Sequence, residues 1–341
     1  MLEQSHLAGQ TGLPSPFDHR IVVPGGRVSA ATTGVFQMTF SVRLGIAAAA
    51  AALLAAAVPA ATQAQPAGDH GAYHIFATPS YEARTGRYPD LGTTGEMEYF
   101  GGTVFSKVNV VSVMWGSNVN ATTVAEIPDF SAALVNSTFL QQLKEYSTKH
   151  VKAINGHRGS HQKIGLGTYF GQVQITPKNQ NLNITDNQIQ KELQYQISIG
   201  ALPPQGPNML YMIYFPTDVT ITLDGMTSCV EFGAYHFASY GKREKPNNIF
   251  YAVEPDCGGG FSSITYAASH EFAEATTDNI PTPGSNPAFP QAWNSSDGYE
   301  IGDLCEGYSG ELTDKTRSYD VTQVYLNSLA NCSSGNYQSP P

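Results

Sequence analysis

His270, Glu271 and Glu274 stand at positions i, i+1 and i+4 in the run Ser-His-Glu-Phe-Ala-Glu-Ala-Thr-Thr-Asp, residues 269–278. On a helix, i and i+4 share one face, so an imidazole and a carboxylate there can hold one cation with Glu271 beside them. This is the layout of the zinc-peptidase pattern H-E-x-x-H with the second histidine replaced by glutamate. Glu271 is then the candidate general base, taking a proton from the attacking water and passing it to the leaving group. A catalytic zinc commonly takes three protein ligands and keeps one position open. The third is offered by Gly-Tyr-Glu-Ile-Gly-Asp-Leu-Cys, residues 298–305, through Glu300 or Asp303. Glu300 is taken as the ligand, by analogy with sites completed by a downstream glutamate, and Asp303 as the group that orients His270. The reverse assignment stays open. A carboxylate is a harder ligand than imidazole, so calcium or manganese is admissible beside zinc.

Other candidates are weaker. His236 follows Tyr235 in an aromatic run; it is either a core histidine or a group that meets the substrate oxyanion or the ion. Tyr235 and Trp293 are candidates for the substrate cleft, with packing as the equal reading for Trp293. Asp278 lies eight residues beyond His270, about 12 Å along a continuous helix, too far for the same ion. It is read as a helix-end group behind the ligands. His157 and His161 fall in a Gly-rich loop and are read as solvated.

Stretches of the chain must position these groups. Residues 261–277 follow Gly258-Gly259-Gly260 and read as the motif helix, ended by the prolines at 281, 283, 287 and 290. Residues 104–115, 209–215, 234–239 and 249–253 read as strands, being β-branched, aromatic or continuously apolar. Residues 219–223 read as an extension of the same sheet. Residues 124–146 have helical spacing, and 150–171 read as a loop leading into a strand. Thr185, with Gln188 three residues on, is a capping box opening a helix that Gly200 can stop. Strands and helices in separate runs indicate an α+β fold. The expected architecture is a zincin-like mixed sheet with the metal-motif helix and a loop-rich, disulfide-stapled C-terminal lobe.

Several of these segments together resemble the exordium, or phosphate-induced protein, family. They are Phe-Gly-Ala-Tyr-His-Phe (232–237), Cys257-Gly258-Gly259, the 269–278 motif, Ala292-Trp293 and Glu-Ile-Gly-Asp-Leu-Cys-Glu (300–306), with Met114-Trp115-Gly116 fitting too. The resemblance covers roughly residues 100 to 310. It implies a secreted, zincin-related protein with a metal at His270 and Glu274, and it names no substrate.

Residues 38–64 combine a methionine, Arg43, an apolar run and a small-residue end at Ala64, which reads as a secretory signal peptide. Residues 1–37 read as an N-terminal extension of mis-assigned start, 65–98 as a loosely ordered segment, and 99–341 as one zincin-like domain. The chain has 18 basic and 28 acidic residues. Setting aside Arg20, Arg27, Arg43, Glu3 and Asp18 leaves residues 65–341 with 15 and 26, a net charge of −11. That surface argues against nucleic acid and anionic membrane as partners. Cys229, Cys257, Cys305 and Cys332 in an exported chain indicate two disulfides; of three connectivities, Cys229–Cys257 with Cys305–Cys332 is favoured for its two short loops.

The function expected is a secreted, extracellular or periplasmic, zinc-dependent hydrolase, with a peptide, protein or cell-wall polymer as substrate. A non-catalytic secreted protein that binds cell-wall glycan or a protein partner is the second reading. A metal-independent glycoside hydrolase using two of the four acids is the third.

Overall fold

A computed structural model describes residues 75–85, 96–156, 158–239, 248–282 and 286–335. The expected signal peptide and the extension before it lie outside the described residues. The N-terminal segment expected to be loosely ordered contributes strand β1 (Phe76–Ala77), helix α1 (Pro79–Thr85) and strand β2 (Met97–Tyr99). β3 (Asn109–Trp115) follows, then α2 (Ala121–Leu134), α3 (Thr138–Gln142), β4 (Thr168–Ile175), β5 (Asn183–Thr185) and α4 (Asp186–Ser198). Next come β6 (Met209–Phe215), β7 (Thr220–Leu223), β8 (Met226–Thr227), β9 (Phe232–Ser239), β10 (Ile249–Pro255) and the motif helix α5 (Phe261–Thr277). The C-terminal part holds β11 (Trp293–Ser295), the hairpin β12 (Ser309–Thr313) and β13 (Ser318–Thr322), and the pair β14 (Val324–Leu326) and β15 (Asn331–Ser333).

The central sheet has the order β1-β9-β10-β6-β3-β4. β4, β3, β6 and β10 run parallel, and β9 and β1 close one side antiparallel, so the fold is α+β with a mixed sheet. Alternation explains why β6 reads as a continuous apolar run. Leu210, Met212 and Tyr214 face one core, while Met209, Tyr211, Ile213 and Phe215 face the other. The first core is roofed by α2 and α5 through Ile127, Phe130, Ile264, Ala268 and Phe272. The second is roofed by α4 through Ile189 and Leu193.

Three expectations are corrected. The apolar 104–115 run becomes a strand only at Asn109, because Val104 N–H and Phe105 N–H are already held by the Gln162 side chain and the Thr276 carbonyl. The 124–146 helix is two helices and a 3-10 turn. Ser137 restarts it, its hydroxyl accepting Leu140 N–H at 3.0 Å while donating to Leu134 O at 2.7 Å. Residues 219–223 do not extend the central sheet; β7 joins β5 and β8 in a separate three-stranded sheet. The Thr185–Gln188 capping box does form, with Thr185 N–H donating to Gln188 Oε1 at 2.8 Å.

Both disulfides form as favoured, Cys229–Cys257 and Cys305–Cys332, with Cα separations of 5.2 and 5.7 Å. The first ties the loop before β9 to the turn that enters α5. The second ties the Asp303–Cys305 turn to β15. Two such bonds fit an oxidising compartment. Among the described residues, no helix is long and apolar enough to cross a membrane.

Candidate metal centre

Helix α5 is buried all round from Ala267 to Thr277, between the sheet and the C-terminal strands. Its small side chains, Ala267, Ala268, Ala273 and Ala275, permit that close sandwiching. The polar motif is therefore carried into the interior: His270 is 0% exposed, and Glu271 and Glu274 1% each. A buried charged group must be paired, neutralised or bound to a metal. The helix stops at Asp278, whose backbone leaves helical angles while its N–H still reaches Glu274 O at 2.7 Å.

The 269–278 and 300–303 segments do meet. His270 Nε2 lies 3.0 Å from Glu274 Oε1 and 3.8 Å from Asp303 Oδ1. The 300–303 stretch is a turn running into the Asp303–Cys305 3-10 helix, so its two acids diverge. Asp303, expected behind the ligands, is the one beside His270, and its Oδ2 accepts Glu300 N–H at 3.0 Å. Glu300, expected as the ligand, approaches His236 instead, with Oε1 3.6 Å from Nε2. Glu274 Oε1 also accepts the N–H groups of Gly302 and Asp303 at 3.2 and 3.1 Å. Gly302 allows this approach: a Cβ there would sit 2.8 Å from Glu274 Oε1 and from His270 Nδ1.

His236, on β9, points to the same face of the sheet as α5. Its Nε2 meets the carbonyl of Asp278 at 3.0 Å, and its Nδ1 lies 3.2 Å from Glu271 Oε2 and 3.7 Å from Glu274 Oε2. A carbonyl only accepts, so Nε2 carries the proton. Burial lowers the basicity of His236 more than the charges of Glu274 and Asp278 raise it, and its Nδ1 is within hydrogen-bond distance of Glu271 Oε2. Both ring nitrogens of His236 thus face protein groups, Nε2 the Asp278 carbonyl and Nδ1 the Glu271 carboxylate. The Asp278 carboxylate accepts from the Asn294 amide at 2.7 Å, a helix-end role behind the ligands.

Electrostatics sets the two imidazoles apart. Burial would lower the His270 pKa, but Glu274, Glu271 and Asp303 outweigh it and hold it well above the ordinary histidine value. Burial, followed by the charges of Glu274, Asp278, Asp303 and Glu271, pushes Glu300 well up. The residues pass a test of fit for a cation. Neither ring nitrogen of the fully buried His270 has a hydrogen-bond partner; the 3.0 Å approach to Glu274 is short but not aligned as N–H···O. A nitrogen facing carboxylate oxygens without a hydrogen bond suits a site where an ion takes the place of the proton.

The remaining cleft candidates lie elsewhere. Tyr235 points to the opposite core, where its hydroxyl donates to Asp186 Oδ1 at 2.9 Å alongside that of Tyr251 at 2.6 Å. Alternation along β9 puts it there, one residue from His236. Trp293 packs against Tyr99 and Tyr146, with ring centroids 5.2 and 5.3 Å away. His161 is exposed in its loop, and His157 lies outside the described residues.

Two neighbours escaped the sequence reading. Glu254 sits in the apolar strand β10, two residues past Ala252, the partner of His236, and so on the same sheet face. It is 1% exposed, neither oxygen has a hydrogen-bond partner, and burial followed by the charge of Glu271 raises its pKa far above normal. A lone acid inside an otherwise apolar strand was the available signal. Phe76 of β1 packs on His270, centroids 5.0 Å apart, covering the centre from the sheet edge. Comparison with protein-family models, curated proteins and solved structures found no match for this chain.

Proposed function

We propose that the protein is a secreted metal-dependent hydrolase, a zincin-like peptidase whose ion is held by His270 and Glu274, with Asp303 beside them. The observation that carries this reading is the fully buried His270 ring, 3.0 Å from Glu274 Oε1 and 3.8 Å from Asp303 Oδ1, with no hydrogen bond on either nitrogen. The imidazole–carboxylate donor set suits zinc, with manganese as the next choice. When bound, the ion would polarise the scissile carbonyl and ease ionisation of the attacking water. Glu271, adjacent to His270 on α5, would take the proton of that water and deliver it to the leaving amine. Gly302 and Asp303 would hold Glu274 in place through their N–H groups. The resemblance to the exordium family agrees with export and with His270 and Glu274 as ligands, and the two disulfides agree with export.

A second reading draws on the burial itself. Side chains at 0–4% exposure also suit a structural ion that joins α5 to the C-terminal turn in a secreted binding protein. Glu271→Gln separates the two. The hydrolase reading expects metal content and folding unchanged and peptide hydrolysis lost by at least about 100-fold. Hydrolysis at wild-type rate in Glu271→Gln, or no hydrolysis by wild type across a peptide library, would overturn it. Cleavage of glycans by chelated protein would point to the glycosidase instead.

A further inference from the structure

The two oxygens of Glu274 face different histidines. Oε1 is 3.0 Å from His270 Nε2, and Oε2 is 3.7 Å from His236 Nδ1. The donor atoms that can hold an ion fall into two sets, each within 4.8 Å: His270, Glu271 and Glu274, and His236, Glu274 and Glu300. Glu274 is the one residue in both. All five side chains are at least 98% buried.

We propose that the centre holds two divalent cations bridged by the Glu274 carboxylate. One sits on the His270 side near Asp303, the other among His236, Glu274 and Glu300. The proposal rests on the metal reading above and extends it to a second ion.

Three observations carry it. The first is the setting of His236. Its Nε2 meets the Asp278 carbonyl at 3.0 Å, while its Nδ1 is turned to the carboxylates, 3.2 Å from Glu271 Oε2 and 3.7 Å from Glu274 Oε2. A histidine whose far nitrogen donates to a backbone carbonyl is also the usual arrangement of a metal-bound imidazole, with the tautomer fixed by that bond. The second is the number of buried acids. Glu271, Glu274, Glu300 and Asp303 are 1–4% exposed and adjoin the two rings, more buried carboxyl groups than the three protein ligands a single catalytic ion commonly takes. The third is Glu254, 1% exposed, on the His236 face of the sheet and without a hydrogen-bond partner on either oxygen.

The composition of the sets points to ligand class. Each has one imidazole and carboxylates, a set suited to zinc or manganese, and two-metal centres are common in hydrolytic enzymes.

The test is stoichiometry by elemental mass spectrometry on full-length mature protein saturated with zinc and then desalted, beside His236→Ala and Glu300→Gln. Two zinc ions per chain are expected in the wild type and one in each variant. Loading with manganese should give a spin-coupled pair by electron paramagnetic resonance, which needs no variant and so holds even if His236→Ala misfolds. One zinc per chain in the wild type, with an uncoupled manganese signal, would overturn the second ion and leave the hydrolase reading standing. No zinc would overturn both. Two zinc ions unaffected by either folded variant would place the second ion elsewhere and overturn the bridge.

Discussion

Replacing Gly302 by alanine adds one methyl group at the tightest point of the centre. Gly302 has φ −79° and ψ −42°, ordinary right-handed angles, so alanine meets no backbone strain. Through the unfolded chain the change alone favours folding by about 0.4–1 kcal/mol. The new Cβ, however, would lie 2.8 Å from Glu274 Oε1, His270 Cε1 and His270 Nδ1. Ordinary contact begins at 3.4 Å, so ring and carboxylate must retreat by about 0.6 Å, more than the roughly 0.5 Å tolerance of a binding constellation. Both are buried on every side, and overpacking of this kind costs about 1–3 kcal/mol. A net loss of about 0.5–2 kcal/mol is expected in the metal-free protein, with zinc affinity reduced about 10–100-fold. Zinc competition against a chromogenic chelator measures the second quantity, and thermal melting of the metal-free protein the first. Gly206→Ala is the control, since nothing lies within 4 Å of a Cβ there. Zinc affinity within about twofold of wild type in Gly302→Ala would refute the placement of His270 and Glu274 as ligands against this turn.

Other expectations follow from the same geometry. The Glu306 carboxyl is pushed up to about 10 by burial first, then by its hydrogen bond to Glu82 and the charge of Asp303. A raised folded-state pKa adds stability that is full below the unfolded value, near 4.5, and is lost as pH climbs towards 10. The Tm of metal-free protein should therefore rise from pH 8 to pH 5, and Glu306→Gln should flatten that rise; an unchanged slope in the variant would remove Glu306 as its source. Tyr251→Phe deletes a 2.6 Å bond to Asp186 on the opposite face of the sheet, so chemical denaturation should show a loss of about 1.5–3 kcal/mol with zinc content unchanged. A change in zinc content would mean that the two faces are coupled. Phe76→Ala uncovers the His270 ring, and a chelator should then strip metal faster in stopped-flow measurements, with equal rates counting against Phe76 as the cover.

Much of the frame was legible because it is local. The 261–277 helix follows from a Gly-rich turn, helical spacing and downstream prolines, and the structure places it at the same residues. The 209–215 strand follows from an apolar run bounded by a turn and Pro216, and the Thr185 cap from side-chain chemistry three residues apart. The disulfide pairing follows from loop length. The i, i+4 spacing likewise places His270 and Glu274 together whatever surrounds them.

What the tertiary structure decided is which distant groups meet and on which side. Strand alternation sends His236 towards α5 and Tyr235 to the opposite core, a choice of face that a single strand does not reveal. The 300–303 segment is a turn rather than a helix, so Asp303 reaches His270 while Glu300 reaches His236. Glu254 enters the neighbourhood through the register in which β10 pairs with β9, which puts it on the His236 face. Phe76 arrives from far upstream by pairing at the sheet edge. Spacing along the chain encodes geometry only within a helical turn or a hairpin. The partners of a buried charge are set by burial and sheet register, which exist only once the layers have packed.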